Sequence, residues 1–424
     1  MASRRLVRAG AATYLFSALT LLAHLVSGVV TARALGPSGR GVTVALTTLS
    51  QLTGFLFAMG VAQSLSYYIA RRPEDGPALF TTWVLMLLPL TALAVAVGEL
   101  LLPVIFTGPG GEQAVEIGRW FLVTIVVVVG LELNYGLLLG SEDFFVYNVL
   151  RFAQPTVIAI ALVALWALDL LTVESALISA TVGAALLLAL GLVRSARGVG
   201  LGRFDLQLGL RTLWYGVRGQ GNTVASNLNA RLDVAMLPAF VSTAGVGLYS
   251  VATNLSLIVH QMANTFAGLV LPAAAREPER GPLKVVGSLY ATLAVTAVLA
   301  LILALLARPL IGFVYGEDFR DAADSLLLLL PGAVLFAGSS ILSAGIYAAE
   351  RPFTATVTQV LGMIVTVVGL FAFLGSGGVK AAALVSSTAY ATVFLATLVA
   401  YKRVSGRPWS FFLPSPALVR AITA

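Results

Sequence analysis

The chain has no cysteine, only two histidines and only three lysines, and charged residues make up 11% of its 424 positions. Without cysteine there is no disulfide, no thiol nucleophile and no Cys-ligated metal. With two histidines, a metal-hydrolysis or acyl-transfer centre has too few ligands and bases to draw on. No Gly-rich loop ends in Gly-Lys-Ser/Thr, which excludes ATP hydrolysis by a P-loop. A soluble domain carries about 25% charged residues, so the scarcity of charge excludes an ordinary water-soluble fold. Loops between apolar runs reach only about 15–20 residues against spans of 20 or more, leaving no room for a catalytic domain outside the bilayer.

What the chain has instead is apolar length. Hydrophobic residues make up 58% of it, and mean hydropathy is +0.95. Spans of roughly 20 or more apolar residues predict twelve membrane helices. The first six fall at about 10–34, 42–70, 77–106, 117–140, 144–168 and 173–194. The second six fall at about 209–240, 245–274, 284–307, 322–348, 353–375 and 379–401. The expected division is a first bundle over 1–197, a cytoplasmic linker over 198–208, a second bundle over 209–402 and a surface tail over 403–424. Arg4, Arg5 and Arg8 precede an apolar run that continues to about Ala34, long enough to span and so read as the first membrane helix, not a cleaved leader.

The formal charge of +7 does not point to nucleic acid, because the basic residues sit at the ends of apolar spans. With the N-terminus inside, eighteen of the 26 Lys and Arg face the cytoplasm, six (Arg33, Arg40, Arg119, Arg308, Arg320 and Lys380) face outside, and Arg218 and Arg231 fall within a span. That bias predicts both termini in the cytoplasm of a bacterial inner-membrane protein.

The halves resemble each other. Arg71-Arg72-Pro73-Glu74-Asp75-Gly76-Pro77 matches Arg276-Glu277-Pro278-Glu279-Arg280-Gly281-Pro282 at five positions, and Gly39 to Ser50 aligns with Gly245 to Ser256. A chain duplicated at half its own length suits a transporter of two facing bundles.

Polar residues inside a span are costly and mark cavities or helix contacts. Ser17, Thr20, His24, Ser27 and Thr31 share an arc of about 80° on the first helix. They read either as a Ser/Thr helix contact or as one wall of a cavity. In the seventh helix, Arg218, Asn222, Ser226, Asn229 and Asp233 lie within about 80° of each other, and Arg211 extends the line. This predicts a hydrated face. Ser250, Asn254, Gln261 and Asn264 repeat the pattern on the eighth, with His260 at its edge. Glu132 and Arg151 flank the turn between helices four and five at similar depth and read as an ion pair or a coupling site.

Ala32-Arg33-Ala34-Leu35-Gly36-Pro37-Ser38-Gly39-Arg40-Gly41 is similar to a signature of Wzx-type polysaccharide and oligosaccharide flippases of the multidrug/oligosaccharidyl-lipid/polysaccharide exporter superfamily. So are Asp233, Met236 and Leu237 followed by Val246, Gly247 and Tyr249, and Pro309 and Ile311 followed by Tyr315, Gly316 and Phe319. The resemblance covers helices one to ten by motif and the last two by hydropathy alone. It implies an all-α fold of twelve membrane helices in two pseudo-symmetric six-helix bundles, arranged as a V around a cavity lined by helices one, two, seven and eight. It also implies the cargo, an oligosaccharide on undecaprenyl diphosphate, with no cofactor.

On that reading Arg218 and Arg211 neutralise the diphosphate, while Asn222, Asn229, Asn254, Gln261 and Asn264 meet sugar hydroxyls and His24 closes the opposite wall. Asp233 pairs with Arg33 as a gate or carries a coupling cation, and Glu132 with Arg151 is a second candidate for coupling. Expected partners are the lipid-linked oligosaccharide, membrane lipids, a glycan polymerase and glycosyltransferases. The rivals are a multidrug/cation antiporter of the same superfamily and a membrane enzyme acting on lipid-linked glycans.

Overall fold

The structure is a computed structural model that describes residues 2–219, 221–276 and 281–413. Within these ranges the side chains of 2–18, 222, 262, 264–266, 268–269, 271–276 and 376 are not described. The second copy of the repeated loop, at 277–280, and the tail beyond 413 lie outside the described residues.

Every regular element among the described residues is helical. In order they are α1 (Ala2–Ala58), α2 (Val61–Arg71), α3 (Gly76–Ile105), α4 (Gly111–Phe121), α5 (Thr124–Gly140), α6 (Phe144–Ala167) and α7 (Val173–Val199). There follow α8 (Leu206–Gly219), α9 (Gly221–Met236), α10 (Thr243–Arg276), α11 (Gly281–Tyr315), α12 (Ala322–Ala348) and α13 (Pro352–Ser405). These map onto the twelve expected spans once their breaks are counted. α1 holds two spans joined at Gly36, and α13 holds two joined at Gly378. The second span continues from α1 into α2 across Met59 and Gly60, both at positive φ. The fourth is α4 and α5, bent by 49°.

Gly36 accounts for the first signature motif physically. Its φ of 65° and ψ of −177° lie in a region that is essentially glycine-only. Pro37 then opens the next helical segment, where its missing N–H and fixed φ cost nothing.

The chain forms two compact units. One comprises Met1–Gln220 with Ser242–Ala244, the other Gly221–Val241 with Gly245–Ala424. The expected seventh span divides between them. α8 packs on α2 and α3 of the first unit and α9 on α13 of the second, and Gln220 between them lies outside the described residues. The segment 198–208, expected as a linker, is pinned to α3. Gly202 N–H donates to Thr81 Oγ1 at 3.0 Å and Asp205 N–H to Thr82 Oγ1 at 2.9 Å. Asp205 in turn accepts from Leu208 N–H at 2.9 Å, capping the start of α8.

In the first unit Val61, Leu65 and Ile69 of α2 pack with Leu79 and Trp83 of α3, Leu133 and Leu137 of α5 and Leu208 of α8. The Trp83 indole donates to Thr212 Oγ1 at 2.9 Å, fastening α8 to α3. The second unit centres on Val285 and Leu289 of α11, Ile341 and Ile346 of α12 and Tyr401 of α13. Phe412 joins this core and its carbonyl accepts from Tyr290 Oη at 2.5 Å. The part of the tail up to 413 is therefore anchored by one buried ring, while residues 406–410 are exposed. Arg308 and Lys380, both placed on the outer face by alternation, meet Asp324 at 3.0 and 2.8 Å. Those helix ends share one side of the unit.

Candidate functional site

In the first unit the polar stripe on α1 divides into two parts. Ser27 and Thr31 donate to the carbonyls of Ala23 and Ser27 at 2.9 and 2.7 Å, back along their own helix. Arg40, counted from sequence with the outer loop, is 1% exposed. Its guanidinium donates to the Gly28 carbonyl and to Thr31 Oγ1 (3.0 Å), so it clasps the two halves of α1 across the Gly36 break. His24 and Arg33 are exposed on α1. Ser17 has no described side chain.

The cations of α8 are also exposed. Arg211 and Arg218 both project from its open face, and the Arg218 guanidinium lies 4.5 Å from the centre of the Trp214 ring. One turn round the helix, Tyr215 stacks on Tyr67 of α2 at 4.7 Å and meets Tyr68 edge-on at 5.6 Å. Arg71 lies over Tyr67 and donates to its hydroxyl. These rings and guanidinia all lie on α2 and α8 of the first unit. The sequence reading saw only Arg211 and Arg218 of them. A local signal for the rest was present, because Tyr67 and Arg71, Tyr147 and Arg151, and Trp214 and Arg218 are each four residues apart, the spacing that puts a cation over a ring on one helix face. The Tyr67–Tyr215 stack joins distant segments and has no local signature.

Glu132 of α5 is half-buried and Arg151 of α6 is exposed. The two form no ion pair among the described residues. Arg151 instead donates to Tyr147 Oη at 3.0 Å and lies over that ring, while Tyr135 Oη donates to Gln154 Oε1 at 3.2 Å.

Of the residues expected on the polar face of the seventh span, Arg218 belongs to α8 and the rest of the stripe to α9. Asn222 and Asn264 have no described side chains. Asn229, expected to meet sugar, is 2% exposed. Its amide donates to the Gln359 carbonyl at 2.7 Å and to Gln359 Oε1 at 2.9 Å, tying α9 to α13. Asn254 and Gln261 of α10 are exposed as the pattern required. His260 stacks on Phe336 at 4.4 Å, and Phe336 on Tyr390 at 4.6 Å, so this histidine belongs to an aromatic column.

Asp233 is fully buried. Its Oδ2 accepts from Tyr249 Oη at 2.5 Å and from Ser386 Oγ at 2.8 Å, and its Oδ1 from Val234 N–H at 2.8 Å. Three elements, α9, α10 and the second half of α13, thus converge on one carboxylate. No Lys, Arg or His makes an ion pair with it among the described residues.

Among the described residues eight helical stretches are long and apolar enough to cross a membrane, or nine if the bent α4–α5 pair is one span, by length and composition. This is the fold of a multi-pass membrane protein. The chain belongs to the polysaccharide biosynthesis protein family, whose model matches residues 6–277. Solved structures similar to it include the lipid II flippase MurJ in an inward closed conformation, with a TM-score of 0.79 and 16% identity, covering 97% of this chain and 90% of that one. A multidrug resistance MATE family transporter of the MOP superfamily, inward-facing, aligns with a TM-score of 0.71 at 13% identity, covering 91% and 95%. The outward-facing conformation of a transporter of that description gives 0.60 at 14% identity, covering 94% and 95%. No curated protein matches the chain in sequence.

Proposed function

We propose that the chain flips an oligosaccharide carried on undecaprenyl diphosphate from the cytoplasmic to the outer leaflet of the bacterial inner membrane, by alternating access, with both termini in the cytoplasm. The family match and the likeness to a lipid II flippase support transport of a lipid-linked glycan over an enzymatic role. The observation that carries the choice of cargo is the set of rings and guanidinia on α2 and α8. Guanidinia present paired donors that suit phosphate oxygens, and the stacked rings beside them offer flat apolar faces to sugar C–H groups.

In this scheme Arg218 and Arg211 compensate the diphosphate, whose transfer into hydrocarbon uncompensated is prohibitive. Asn254, Gln261 and His24 bond sugar hydroxyls. Asn229 takes no part, since its amide is committed to Gln359. The prenyl chain stays in the bilayer while the head group crosses. Glycosyltransferases would supply this cargo and a polymerase would consume it.

Asp233 supplies coupling. The buried carboxylate accepts hydrogen bonds only from neutral donors, with Arg231 two residues before it the cation that acts on it electrostatically, so a proton or metal cation entering there would stabilise the unit and link ion movement to its conformation. Glu132 and Arg151 form a second, weaker candidate, because Arg151 is held by Tyr147.

The MATE likeness and the buried acid also favour a second reading, a drug/cation antiporter. Vesicles containing the purified protein separate the two. Flippase activity moves a lipid-linked glycan to the far leaflet and is lost in Arg218→Ala, whereas an antiporter moves a cationic dye against a proton or sodium gradient and leaves the glycan in place.

A further inference from the structure

The two halves of α13 enclose a groove of about 890 Å³ inside the second unit, apart from every residue assigned above. Its walls include Leu361 from the first half and Leu395 and Val399 from the second, all exposed. Arg351 and Arg403 also line it, one at the start of α13 and the other near its end, at the same end of the helical hairpin. Both arginines are exposed, and neither makes an ion pair among the described residues. No acidic side chain lines the groove among those residues.

A second observation points the same way. Thr354 lines the groove from the first turn of α13, and no side chain caps that turn. The positive end of that helix's dipole therefore lies beside the two guanidinia, while Pro352 has no N–H and the Thr354 N–H donates to the Arg351 carbonyl.

An apolar trough with paired positive charge at one end has the chemistry of a lipid bearing an anionic phosphate. We propose that this groove is a binding site for an anionic glycerophospholipid, its phosphate between Arg351 and Arg403 and an acyl chain along Leu361, Leu395 and Val399. Zwitterionic lipids fill the trough equally well but gain nothing from the arginines. Basic pockets between membrane helices select lipids on that basis. The site is independent of the transported cargo and of Asp233. Its occupancy would hold the two halves of α13 together.

The test is native mass spectrometry of the purified full-length protein, titrated with phosphatidylglycerol or phosphatidylcholine. The wild type is expected to retain phosphatidylglycerol preferentially, and R351Q/R403Q to bind it roughly twenty- to thirty-fold more weakly, at about fivefold per arginine. Leu361→Trp, which fills the trough and leaves both charges, is expected to lose binding too. R320Q, which removes a cation elsewhere on this unit, should change nothing. Equal retention of the two lipids by the wild type, or undiminished binding in R351Q/R403Q, would overturn the proposal. So would a polyprenyl diphosphate that displaces phosphatidylglycerol at equal concentration, because the groove would then belong to the cargo.

Discussion

Tyr249 donates its phenolic hydrogen to Asp233 at 2.5 Å, and this bond joins α10 to α9 at a point with no exposure to solvent. Ser386 completes the enclosure from α13 at 2.8 Å. Removing either donor leaves a buried oxygen short of a partner, at a cost of about 1–3 kcal/mol. Tyr249→Phe and Ser386→Ala are therefore expected to lower the thermal unfolding midpoint of the detergent-purified protein. Asp233→Asn, which keeps the shape and drops the charge, is expected to retain stability and lose the dependence of transport on the ion gradient. An Asp233→Asn protein with undiminished ion dependence would remove Asp233 from coupling.

Gly36 sits where L side chains are strained. Gly36→Ala is expected to destabilise the first unit by about 1–3 kcal/mol, although no heavy atom lies within 4 Å of the added Cβ. The cost is conformational, so Gly36→Ser and Gly36→Ala should behave alike. Thermal unfolding of the two variants checks this, and a neutral effect would contradict the assigned backbone.

Arg40 bonds to Gly28 and Thr31 with a buried guanidinium. Arg40→Ala leaves these acceptors unmet and is expected to cost about 1.5–3 kcal/mol, the range for hydrogen bonds to a charged group. Arg40→Lys should recover only part of it, because an ammonium lacks the planar fork that reaches both acceptors. Unfolding midpoints for the two variants would separate lost charge from lost geometry.

At Gly216 a Cβ would come within 2.6 Å of the Met59 carbonyl oxygen and 2.8 Å of that of Gly60. Both are backbone atoms at the break between α1 and α2 and cannot rotate away. Gly216→Ala is expected to push α8 off α2, exposing 206–219 to limited proteolysis and breaking the Tyr67–Tyr215 stack. A protease pattern identical to wild type would show that α8 has more room than its packing implies.

Much of the fold was legible because hydropathy reports the membrane directly. Among the described residues helix covers each of the twelve expected spans, and the Gly36-Pro37 punctuation lies where the signature put it. The errors share a cause. Periodicity carries residues along a helix without regard to what each turn packs on, so it placed Arg218 and Asp233 on one stripe, while the two residues belong to different units. Asn229 kept the right phase for a polar face, but the face packs on Gln359. Arg40 was assigned by its distance from span ends, which says nothing of a side chain folding back onto α1. The ring group of α2 and α8 depends on tertiary packing, and only its aromatic–arginine pairs four residues apart were visible locally.

The central claim is that exposed guanidinia on α8 carry an anionic glycan head group across the bilayer. It is tested most directly in proteoliposomes, by the initial rate at which a fluorescent undecaprenyl-diphosphate oligosaccharide becomes accessible to an impermeant lectin. The account predicts that wild type flips the lipid and that Arg218→Ala, at equal abundance and with an unchanged unfolding midpoint, flips it about ten- to a hundredfold more slowly, the equivalent of one lost charge-assisted hydrogen bond. An Arg218→Ala protein that flips at the wild-type rate, alone and with Arg211→Ala added, would contradict it.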